Sequence, residues 1–154
     1  MSGIVEKLFI SREKKTKRVA IESGFFIKNF GLEGDAYSSH GARRQVTVLS
    51  SEGRAAVEKE DLKGLCFERF IETVRISGIE ADDLKPGVLL KAGTALFEVT
   101  EYRKKCYPEC SIIQTGRVCS LLTDARFLKV LATGKVAVGD RVEIIKEYDI
   151  LHSS

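Results

Sequence analysis

The sequence predicts a mainly β domain: a strand-rich, closed or strongly bent β-barrel carrying two or three short helices. Three observations predict it. Short apolar and β-branched runs recur along most of the chain, among them Gln45 to Leu49 (QVTVL) and Ala95 to Thr100 (ALFEVT). Turn-forming residues separate them at close spacing, as in Lys85-Pro86-Gly87, Ala92-Gly93 and Gly139-Asp140. Helix-forming composition is limited to two or three short stretches. There is no internal repeat, no low-complexity segment, and no glycine-rich nucleotide-binding signature.

Taken in order, Ile4 to Ile10 alternates loosely and predicts a strand. Ser11 to Arg18 (SREKKTKR) is a solvated hairpin turn with five basic residues against one acid, and Arg18 to Glu22 is the returning strand. Gly24, Asn29, Gly31 and Gly34 predict that regular structure is broken across Ser23 to Asp35. Gln45 to Leu49 is a strand. Ser50 and Ser51 are N-cap candidates for a helix over Glu52 to Leu62, which Gly64 ends. Leu65 to Ile76 predicts a strand with a break near Glu72. Lys85-Pro86-Gly87 is a turn, followed by strands over Val88 to Lys91 and Ala95 to Thr100 about the Ala92-Gly93 turn. Pro108 is placed to start a short helix over Glu109 to Gln114. Phe127 to Leu131, a Thr133-Gly134 turn, Lys135 to Val138 and Arg141 to Ile145 complete the strands.

The 154 residues are expected to form one domain over 1–146 with a loose tail over 147–154. Hydrophobic content of 44% and charged content of 31% describe a globular chain. No apolar run approaches the length of a membrane span, and the start, MSGIVEKLFI, is too polar for a secretory signal. The expectation is a cytoplasmic protein with reduced cysteines and no membrane partner. A net charge of +3 gives no ground for a nucleic-acid partner.

The densest chemistry lies in Arg103 to Cys119 (RKKCYPECSIIQTGRVC), where cysteines are spaced C-x3-C-x8-C. Arg103, Lys104 and Lys105 precede the first thiol. Nearby cations stabilise a thiolate, which is both a sulfur nucleophile and a soft-metal ligand. A buried apolar cysteine is the alternative account of these thiols, and Cys66 reads as core. A structural zinc site needs four ligands, usually with a C-x2-C or C-x4-C knuckle; here the spacing is C-x3-C and only Cys119, His40 or Cys66 could complete the set, and an iron–sulfur cluster has no better support. Arg43, Arg44 and Gln45 offer planar donors, and an acceptor, for a phosphate or a pterin. Asp35 after Gly34 suits either a binding loop or an Asx-turn.

Seven segments resemble the MOSC domain, found at the C-terminus of molybdenum cofactor sulfurases and as a stand-alone protein. They are Gly31 to Ala36 (GLEGDA), Arg44 to Leu49 (RQVTVL), Pro86 to Gly93, Glu98-Val99-Thr100, Cys106 to Cys119, Lys129-Val130-Leu131 and Val138-Gly139-Asp140. The cysteine region is most similar to that of short bacterial stand-alone members. The resemblance implies a pyruvate-kinase-barrel-like fold and a molybdenum cofactor (molybdopterin). It implies Cys110 as the sulfur-carrying or molybdenum-ligating thiolate, with Cys106 as the second thiol. It implies Gly34, Asp35, Arg44, Gln45, Glu72 and Lys105 as cofactor-binding residues. Three departures stand out: no histidine at its usual place after Gly34-Asp35, no asparagine in Glu72-Thr73-Val74-Arg75, and no arginine after Cys119.

The function implied is binding of the molybdenum cofactor or a related sulfur-bearing species, for sulfur transfer or for reduction at molybdenum. The family is also associated with pyridoxal phosphate binding, but the half that carries that group in fused sulfurases is not visible in this sequence. Sulfur transfer therefore calls for a cysteine desulfurase or a molybdenum-cofactor biosynthesis protein as partner. Reduction calls for an electron donor. The departures favour a non-catalytic carrier or sensor of the cofactor, and a cofactor-free redox dithiol protein is a third reading.

Overall fold

The computed structural model describes residues 2–13, 18–42, 44–51, 72–102 and 125–145, with the side chain of Tyr102 outside that set. Eleven strands run through these residues: β1 (Ser2–Ile10), β2 (Val19–Ile21), β3 (Ser23–Ile27), β4 (Gly31–Leu32), β5 (Val46–Ser50), β6 (Val74–Ser77), β7 (Leu89–Ala92), β8 (Ala95–Tyr102), β9 (Arg126–Ala132), β10 (Gly134–Ala137) and β11 (Arg141–Ile145). Between β6 and β7 lies a 3-10 helix over Ala81–Asp83. The sequence-predicted helices over 52–62 and 109–114 lie outside the described residues.

Seven of the strands close a barrel in the order β1, β6, β5, β9, β8, β7, β11 and back to β1. Closure is made by β11 against β1, with Ser2 opposite Glu143 and Ile4 opposite Arg141. Closing the sheet leaves no open edge in the ring. All neighbours are antiparallel except β5 and β6, where Val48 stands beside Val74. β2 extends β1 as the hairpin the sequence predicts, Ile10 facing Val19. A second sheet, β10-β3-β4, packs against the barrel.

Alternation along the strands explains the core. Val46 and Val48 of β5, Val74 and Ile76 of β6, and Leu128 and Val130 of β9 point inward and are buried. They join Val5, Leu8, Leu90, Phe97, Val99 and Val142 in one cluster. The second sheet contributes Phe26, whose ring meets Phe97 edge-on at 5.2 Å between centroids. The interior retains an apolar cavity of only about 10 Å³ between side chains such as Val48, Leu90 and Phe97. Among the described residues the barrel interior is thus a packed apolar core.

β3 and β4 correct the expectation of broken structure across 23–35. The glycines there permit pairing rather than prevent it. Gly31 has φ +127, and a Cβ on it would come within 2.8 Å of the Gln45 carbonyl oxygen. The Lys85-Pro86-Gly87 turn forms as predicted, with Val88 N–H donating to the Lys85 carbonyl at 3.0 Å and Gly87 at φ +95. At Thr133-Gly134, by contrast, Gly134 already belongs to β10 and pairs with Phe26.

Candidate functional site

Of the sequence-predicted site residues, Cys106, Cys110 and Lys105 lie outside the described residues. The other five are described, and they divide sharply in how their polar atoms are used.

Gly34 and Asp35 follow β4. Gly34 takes φ +86, a left-handed backbone that favours glycine. The Asp35 carboxylate is buried. Its Oδ1 accepts the Ser11 backbone N–H at 2.8 Å and the Arg18 guanidinium at 2.7 Å. Its Oδ2 accepts Tyr37 N–H at 3.2 Å, the Asx-turn bond. Asp35 therefore ties the loop after β4 to the end of β1 and the start of β2.

Gln45, immediately before β5, is 4% exposed. Its Nε2 donates to the Ala42 carbonyl at 2.8 Å and to Asn29 Oδ1 at 3.2 Å. Its Oε1 accepts the buried Val130 N–H at 3.0 Å. Both amide donors and the carbonyl are committed to the fold. Gln45 fastens the far end of the same loop to β9.

Glu72 precedes β6, where a solvent-facing residue is the simpler sequence expectation. The structure corrects this: Glu72 is completely buried. Its Oε2 accepts from Arg75 Nε at 2.8 Å, and the Arg75 guanidinium lies 5.2 Å from the centre of the Phe9 ring.

Arg44 differs from all of these. Its side chain is 55% exposed, and Nε donates to Glu101 Oε1 at 2.5 Å. Its guanidinium lies 4.6 Å from the Phe127 ring centre. Among the described residues its two terminal nitrogens have no protein partner. Backbone register explains the placement. Phe127 of β9 stands between Thr47 of β5 and Glu101 of β8, so Arg44, three residues before Thr47, reaches along the outer face to both.

Glu101 and Phe127 are also the residues between which the cysteine-bearing chain departs and returns. Tyr102, paired with Arg126, is the last described residue before it. Arg126 anchors the return. It is 3% exposed, and donates to the carbonyls of Leu84 at 2.9 Å, Ala81 at 3.0 Å and Ala125 at 3.0 Å.

Sequence reasoning did not single out Glu101, Phe127, Arg75 or Arg126. An arginine just before a strand, with an acid and an aromatic on the neighbouring strands, is a signal only once register is known. Among the described residues no group of three His, Cys, Asp or Glu side chains is placed to hold a metal ion. Likewise, no helix among them is long and apolar enough to cross a membrane.

Comparisons with known proteins agree with this architecture. The fold is similar to that of the YuaD protein from Bacillus subtilis, with TM-score 0.66 at 19% identity, covering 94% of this chain and 96% of that one. It is also similar to YiiM from Geobacillus stearothermophilus, with TM-score 0.63 at 18% identity over 95% of this chain and 76% of that one. YiiM from Escherichia coli gives TM-score 0.61 at 22% identity, over 96% of this chain and 71% of that one. At such identities the likeness concerns the fold. No curated protein sequence matches the chain. The MOSC domain family model matches residues 35–143, which take in β5 to β11, Arg44 and the cysteine-bearing segment. The chain therefore belongs to the MOSC domain family, which is generally linked to binding of the molybdenum cofactor.

Proposed function

We propose that the protein binds the molybdenum cofactor or a related sulfur-bearing species on the outer face of the barrel, beside β8 and β9. Arg44 and Lys105 meet its anionic part, and Cys110 is the sulfur or molybdenum contact. The observation that carries this reading is the exposed guanidinium of Arg44, with terminal donors uncommitted among the described residues, beside the roots of the cysteine-bearing segment. Such a fork of donors suits a phosphate. Asp35, Gln45 and Glu72 support the site from within the scaffold.

When bound, the cofactor would supply a molybdenum centre for sulfur ligation or substrate reduction. The chain's own contribution is a thiolate and an anion-binding arginine. In a sulfur-transfer role, a cysteine desulfurase persulfide passes its terminal sulfur to the Cys110 thiolate. The donor then leaves as a thiolate, with no net oxidation. A molybdenum-cofactor biosynthesis protein is the matching acceptor, and a reductase role needs an electron donor. A cytoplasmic setting keeps Cys106 and Cys110 reduced.

A carrier or sensor role is the second reading. The observation favouring it is that Gln45 and Asp35 direct their polar atoms inward, leaving Arg44 as the outward donor among the described candidates.

Metal analysis and absorption spectra of protein from a molybdenum-replete host test the proposal. Near-stoichiometric molybdenum or pterin absorbance is expected, reduced in Cys110→Ser and retained in Cys106→Ser. Absence of both signals, with an ordinary thiol labelling rate at Cys110, would sink it. Stoichiometric cofactor without turnover selects the carrier role.

A further inference from the structure

We infer that Glu101 and Phe127 are positioning residues, which together turn Arg44 into a prearranged oxyanion receiver. This rests on the proposed function in placing the ligand beside β8 and β9, but nothing so far assigns either residue a role toward a ligand.

A half-exposed arginine ordinarily samples many rotamers, and fixing it on binding costs affinity. Arg44 is held at two points instead. Glu101 engages Nε on one edge of the guanidinium, and the Phe127 ring supports its plane. With Nε engaged and the side chain 55% exposed, the two terminal nitrogens are the edge left for bidentate contact with a phosphate-like anion. Glu101 is itself only 14% exposed and lies near the end of β8, opposite Phe127, so the anchor belongs to the rigid barrel wall rather than to a mobile side chain. The same two strands lead into and out of the cysteine-bearing segment. A ligand anion seated on Arg44 is thereby tied to both roots of that segment.

Glu101 is a negative charge beside an anion site. By charge alone, Glu101→Gln tightens phosphate. If Glu101 positions Arg44, the same substitution weakens it, because the fork loses its orientation.

The test is titration of the full chain with inorganic phosphate, followed by calorimetry and phosphorus NMR line broadening at low ionic strength. Wild type is expected to bind. Arg44→Lys should lose about tenfold in affinity through loss of the bidentate contact. Glu101→Gln should lose several-fold, and Glu101→Asp less. Phe127→Leu should lose several-fold, and Phe127→Tyr should remain near wild type. Urea midpoints for each variant separate these effects from unfolding.

Tighter phosphate binding in Glu101→Gln refutes the positioning role. An unchanged affinity in Arg44→Lys shows an adventitious ion only, and overturns the assignment. Molybdenum content reports separately on the proposed function. A protein that shows this phosphate pattern but never contains molybdenum keeps the anion site and loses the cofactor reading.

Discussion

Two clusters on the outer face of the barrel are built from the same parts. In one, Glu72 holds Arg75 over Phe9. In the other, Glu101 holds Arg44 over Phe127. Both ion pairs run through Nε, and both guanidinium groups lie near a ring, at 5.2 and 4.6 Å. Exposure separates them. The acid and base are 0% and 18% exposed in the first, but 14% and 55% in the second. The first cluster joins the start of β6 to β1, and its charges are set among packed residues. The second leaves its arginine in water with donors to offer. Identical chemistry thus closes on itself in one place and, under the proposed function, meets a ligand in the other; burial is what separates them.

The same substitution made in both clusters tests that distinction. Glu72→Gln removes the charge partner of a largely buried arginine. It is expected to cost about 3 kcal/mol in urea unfolding, the lower end for breaking a buried pair, because Arg75 keeps some contact with water. Glu101→Gln is expected to cost less, about 1 kcal/mol, because the Arg44 it pairs with is 55% exposed and stays solvated without it. Equal losses would erase the comparison.

Gln45 offers a smaller but sharper contrast with its neighbour Arg44. Adjacent in sequence, the two point into different worlds. Gln45→Ala strands the buried Val130 N–H and the Ala42 carbonyl, so a loss of about 2 kcal/mol is expected, read as a shift in urea midpoint. Native-state hydrogen exchange should show faster exchange at the Val130 amide. If Gln45→Ala is stable but abolishes ligand binding, Gln45 is a ligand residue and the division drawn between the two side chains is wrong.

This contrast also shows what the sequence could reveal. Most strands were legible, because β-branched alternation and the Pro-Gly and Gly-centred turns are local signals. β3 and β4 were not, because β3 takes its partner from β10, more than a hundred positions away, and its glycines look like breakers until that partner is seen. At the site, the residue types of the motif were visible, and Arg44 and Gln45 could be named together. Their separation into donor and staple depends on Val130, 85 positions on, and on Glu101, 57 positions on. No pattern within a short window contains those distances. The family resemblance supplied the motif but not its division of labour.

The finest distinction lies in how the two ion pairs respond to salt. A double-mutant cycle over Arg44 and Glu101 should give a stability coupling of about 0.5 kcal/mol or less at low ionic strength. It should fall towards zero in 1 M salt, where the screening length shrinks to about 3 Å. The matching cycle over Glu72 and Arg75 should keep most of its coupling, since ions cannot enter around a fully buried carboxylate. A salt-insensitive Arg44–Glu101 coupling would show a pair already shielded from water, with no donors left for an anion. That result would make the second cluster another staple and remove the physical basis for an anion site beside the cysteines.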